Sequence, residues 1–71
     1  IPVTGTVTDE SGAPVAATLL IKYTNDFVVA DSEGRFNMKA PKDGVLRVGD
    51  VDKATVEVKV KPVLKIVLKN K

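Results

Sequence analysis

The sequence contains no cysteine, no histidine and no tryptophan. Without cysteine, no disulfide can staple the fold and a Cys-based metal site is excluded. Such a chain also fits an oxidising or a reducing compartment equally well. Without histidine, the commonest metal ligand and the commonest general base are both missing. Tyr23, Phe27 and Phe36 are the only aromatic residues, and they do not interleave with the lysines as a base-stacking platform would. No nucleic-acid partner is therefore expected. No apolar run approaches the roughly 20 residues of a membrane helix, so no direct membrane insertion is expected of this domain. The chain starts at Ile1 with no apolar leader before it, which reads as a processed product or an excised piece.

What is present is alternation with period two. Val3, Gly5 and Val7 face one way and Thr4, Thr6 and Thr8 the other, which predicts a first strand. "DESGAP" (9–14) collects turn formers, each for its own reason. "ATLLIKY" (17–23) predicts a second strand with Ala17, Leu19, Ile21 and Tyr23 on one face and Leu20 on a neighbouring surface. "FVVA" (27–30) reads as a short strand, and "RFNMKA" (35–40) as another with Phe36 and Met38 inward. "PKDG" (41–44) is a turn in which Gly44 can take positive φ. "VLRV" (45–48) follows, then a polar "GDVDK" (49–53). "TVEVKVK" (55–61) sets Val56, Val58 and Val60 against Glu57, Lys59 and Lys61 until Pro62 removes a ladder donor. "VLKIVLKN" (63–70) is the last strand. The reading is all-β: a single domain over 1–71, folded as a small seven-stranded antiparallel β-sandwich. At this length a chain buries only about 60–65% of its unfolded surface, so the core is thin.

Eleven basic residues stand against nine acidic, a net charge of +2. From Lys53 onward, six lysines meet one acid, Glu57. A lysine-rich face around Lys59, Lys61, Lys65 and Lys69 is the candidate contact surface for an acidic partner. No catalytic residue is assigned. Ser11 and Ser32 have no base to activate them, and Asp31/Glu33 or Asp50/Asp52 diverge more readily than they converge on a substrate. Calcium takes oxygen ligands, and "DESG", "DSEG", "KDG" and "GDVD" all supply them. None has the spacing of a single-loop calcium motif, so plain turn chemistry is expected, with pooling of acids from separate loops as the alternative. No metal and no cofactor are assigned.

The order of these motifs carries more than any one of them. "VTGTVTDESGAPVAATLLIKYTNDFVVADSEGRFNMKAP" closely resembles the start of the carboxypeptidase regulatory-like domains. The matching residues are Gly5, Val7 and Asp9; Gly12 and Pro14; Lys22; Asp31, Gly34 and Phe36; and Pro41 with Gly44. The last strand, "IVLK" (66–69), is of the same kind. The resemblance implies a transthyretin-like sandwich without enzymatic activity. It also implies the N-terminal periplasmic extension of a SusC/RagA-type TonB-dependent outer-membrane transporter of Bacteroidetes, importing glycans or peptides. In that setting the partners are the plug and barrel of the parent polypeptide or other envelope proteins, and a TonB box follows about where this chain stops. A secreted or surface sandwich module and an appended lobe of a peptidase are the alternatives. Transporter versions usually carry an aromatic-rich segment where this chain has "LRVGDVDKATVEV". Related hydroxyisourate hydrolases need histidines and a Tyr-Arg-Gly-Ser tail, both missing here. An adhesin-type isopeptide between Lys22 and Asn70 would need an inward-facing acid, which no predicted strand supplies.

Overall fold

The computed structural model describes residues 1–70; Lys71, the last residue of the expected domain, lies outside the described residues. Seven strands form in chain order: β1 (Pro2–Asp9), β2 (Thr18–Ile21), β3 (Phe27–Val29), β4 (Arg35–Lys39), β5 (Val45–Asp50), β6 (Lys53–Lys59) and β7 (Val63–Leu68). Two sheets pack as a sandwich, one ordered β4-β1-β7 and the other β3-β2-β5-β6.

The alternation read from the sequence decides which side chains share the core. Val3 and Val7 of β1, Phe36 of β4 and Leu64, Ile66 and Leu68 of β7 line the inner face of the first sheet. Opposite them lie Leu19 and Ile21 of β2 and Leu46 and Val48 of β5. Val3, Val7, Leu19, Leu46, Val48 and Leu68 are fully buried. Each such side chain contributes roughly 1.5–3 kcal/mol relative to exposure. Val28, Met38, Val56 and Val58 pack on the rim of this core and are only partly buried. Among the described residues no polar or charged side chain is buried.

One pairing departs from the expected antiparallel sandwich. β7 runs parallel to β1, from Thr4 opposite Val63 to Asp9 opposite Leu68. The reason lies at Pro62, whose carbonyl accepts the Thr4 N–H at 3.0 Å. Past Lys59 the chain leaves the second sheet and enters the first beside β1, so β7 follows no hairpin there. Period-two alternation encodes which face a side chain takes and is silent on strand direction.

Smaller corrections follow the same logic. Tyr23 does not extend the inner face of β2: it is 93% exposed, with φ 70°. The strand stops at Ile21 because Thr24 turns the chain back, its N–H and its Oγ1 both donating to the Ile21 carbonyl at 3.1 and 2.8 Å. Gly44 is not among the positive-φ residues; its N–H donates to the Pro41 carbonyl at 3.0 Å and closes the turn. "GDVDK" is mostly strand, leaving Val51 and Asp52 as a two-residue link between β5 and β6. β6 begins and ends two residues earlier than the alternation suggested, although Val60 is still buried.

Candidate functional site

The acid-rich turns come first, because they held the best case for chemistry. In "DSEG", Asp31 Oδ1 accepts the backbone N–H groups of Glu33 and Arg35, both at 2.9 Å. Gly34 donates its N–H to the Asp31 carbonyl at 2.9 Å and sits at φ 76°. Its own carbonyl accepts the Val7 N–H at 2.7 Å, and a Cβ there would stand 2.3 Å from the Val7 oxygen. Only glycine fits, on both conformational and steric grounds. The turn thereby locks β4 against β1, and Phe36 enters the core two residues later. Glu33 pairs with Arg35 on the surface rather than with Asp31.

Asp9 does the same for "DESGAP". Its Oδ1 accepts the Ser11 hydroxyl at 2.6 Å and the N–H groups of Ser11 and Ala13 at 2.8 and 3.0 Å. The Ser11 hydroxyl, then the Ala13 N–H, hold the carboxyl below its usual range. A carboxyl with a depressed folded-state pKa binds its proton more readily in the unfolded chain. Its stabilisation is present above the unfolded pKa of about 3.9 and is lost as pH falls through the lower folded value. Urea denaturation across pH 2–5 should therefore show stability falling as acid is added. In Asp9→Asn that fall should be shallower by the share Asp9 supplies; an unchanged slope counts against the role given to Asp9.

Asp50 and Asp52 flank Val51, and Asp50 Oδ1 accepts the Val51 N–H at 2.8 Å. Among the described residues no three Asp or Glu side chains stand together as metal ligands. Lys22 and Asn70 are not brought together. Lys22 Nζ lies 3.2 Å from Glu57, while Asn70 Oδ1 accepts the Lys53 ammonium at 2.5 Å.

The four candidate lysines divide between the sheets. Lys59 lies on β6 opposite Val45, on the outer surface of the second sheet. Lys65 lies on β7 opposite Thr6, on the outer surface of the first. Lys69 follows β7 directly, and Lys61 lies in the link before Pro62. On the second sheet Glu57 offsets neighbouring cations, with Lys22 at 3.2 Å and Arg47 at 3.7 Å. Its hydrogen bond and charge raise the Lys22 pKa above the usual lysine value. On the first sheet Glu33 takes Arg35 and Asp9 is engaged in its own turn, so among the described residues no carboxylate pairs with Lys39 or Lys65.

Sequence reasoning missed the exposed apolar side chains beside these cations. Val63 and Val67 of β7 are 69% and 54% exposed, and Phe27 and Val29 of β3 are exposed as well. β7 and β3 are both edge strands, which the sequence could have revealed only once strand order was known. An open depression of about 630 Å³ lies beside β3, β4 and β1. Its charged residues, Asp31 and Arg35, are already engaged by the turn and by Glu33. The arrangement puts strand edges, apolar side chains and cations at the surface. No protein-family model matches the sequence, and no curated protein matches it.

Proposed function

We propose that this chain is a non-enzymatic docking module of the bacterial cell envelope, on the periplasmic side of the outer membrane. In this reading it is the N-terminal extension of a TonB-dependent transporter for glycans or peptides, with a transthyretin-like sandwich of the carboxypeptidase regulatory-like kind. One observation supports it above others: residues of the resembling pattern hold the positions on which the two sheets depend. Gly34 lies beneath Val7, Phe36 fills the core, Gly5 lets β7 approach β1, and Asp9 and Asp31 close turns. The edge strands supply surfaces through which such a module joins a neighbouring chain.

A second reading has its own observation. The segment that is aromatic-rich in transporter versions is here a β5–β6 hairpin without aromatics, with Val48 fully buried and Val51 exposed. That favours a module of another secreted or surface protein, or an accessory lobe of a peptidase. The complete reading frame distinguishes them. Several hundred residues of alternating barrel strands after this domain are expected. Tandem sandwich domains, or a zinc-peptidase domain upstream, would overturn the transporter assignment.

A further inference from the structure

β7 has one paired edge and one that is open along most of its length. The Thr4 N–H donates to the Pro62 carbonyl, and Thr4 stands opposite Val63. In a parallel ladder this register turns the N–H and C=O groups of Leu64 and Ile66 toward β1. Those of Val63, Lys65 and Val67 then point away from it. The strand before β7 in sequence, β6, belongs to the other sheet and meets β7 only near one end. There the Ala54 N–H donates to the Lys69 carbonyl at 2.8 Å, and Lys53 bridges Asn70.

Two features say what an added strand must look like. The first sheet has three strands and the second four. Val56 and Val58 point inward from the edge strand β6 yet remain only partly covered. A fourth strand beside β7 would lie over them, so its inward side chains must be apolar. On its outward side it would meet Lys65, with Val63 and Val67 exposed on either side. Among the described residues no carboxylate pairs with Lys65. The outward side chain opposite Lys65 must therefore be acidic, because opposite charges across a ladder stabilise it and like charges do not. A second copy of β7 fails this requirement, since a two-fold centred on the edge sets Lys65 against Lys65.

We infer that the open edge of β7 takes an extended segment of a partner protein with apolar inward side chains and an acidic residue opposite Lys65, added as a fourth strand to the β4-β1-β7 sheet. This inference rests on the docking reading above and names its surface and its partner chemistry.

The probe is a capped octapeptide of alternating valine and glutamate, titrated into the isotopically labelled domain and followed by NMR and amide exchange. The amides of Val63, Lys65 and Val67 should gain protection, and the methyls of Val56 and Val58 should shift. Lys65→Glu should weaken the peptide roughly tenfold, by replacing an attractive cross-strand pair with a repulsive one. Val67→Pro should abolish binding while the free domain keeps its spectrum, because the N–H it removes is not used by β1. Equal binding of the valine–lysine counterpart overturns the inference. So does protection confined to β3 or β4, or binding of the polyanion heparin at these lysines without edge protection when the peptide gives none. Each of these leaves the docking module itself standing, since the reading frame tests that separately.

Discussion

Gly5→Ala is expected to remove a large share of the stability of this domain. Gly5 lies in the middle of β1, the central strand of its sheet, with Phe36 on one side and Leu64 on the other. A Cβ at this position would stand 2.1 Å from the Leu64 carbonyl oxygen and 2.9 Å from the Phe36 ring. The nearer obstacle is backbone, so no side-chain rotation relieves it. Overpacking a core costs typically about 1–3 kcal/mol and occasionally more. Because β7 must draw back from β1, the cost should reach at least ~3 kcal/mol. A chain of this size has on the order of 4–10 kcal/mol in total. Thermal unfolding followed by circular dichroism should show the midpoint lowered by on the order of 10–25 °C. A midpoint within a few degrees of the parent would mean that β1 and β7 are not in this close register.

Leu46→Ala should be nearly as severe, for the opposite reason. Leu46 is fully buried on β5, between Ile21 of β2 and Val58 of β6. Truncation there loses the transfer energy of the side chain and leaves a cavity, together about 2.7–5 kcal/mol. The surrounding strands are held on both sides by backbone ladders and have little freedom to collapse into the space. Urea unfolding should show a lower midpoint with an unchanged slope. Val67→Ala, on the exposed face of β7, is the control and should change stability by less than about 0.5 kcal/mol. Similar losses at both positions would contradict the assignment of inner and outer faces.

These two positions also show how much could be read from residue order. The number of strands, the turns at 9–14 and 31–34, and the shared faces of Val3 with Val7, Leu19 with Ile21, and inward Phe36 were all legible, because pleat and turn chemistry are local; the face of Leu46 in "VLRV" was not assigned. Tyr23 was misplaced because alternation continued past the point where Thr24 captures the Ile21 carbonyl. The cluster "TND" was the available signal. The direction of β7 was not legible, since it depends on which sheet the chain joins after Pro62. The division of the candidate lysines between the sheets was not legible for the same reason. Lys59 and Lys65 share an alternating rhythm in sequence, yet the crossing between sheets puts them on opposite outer faces. What sets Lys65 apart is that among the described residues no carboxylate pairs with it, a property of strand neighbours rather than of spacing.

The parallel pairing of β1 and β7 also decides how the module carries mechanical load. Parallel neighbours place the start of β1 and the end of β7 at opposite ends of their shared ladder, in a body about 30 Å long. Tension entering at Pro2 and leaving at Leu68 pulls these strands past one another lengthwise. The ladder's hydrogen bonds then bear the force together in shear, instead of opening one after another as they would in a hairpin pulled from its open end. A domain wired this way resists extension between those two points more than one whose terminal strands form a hairpin.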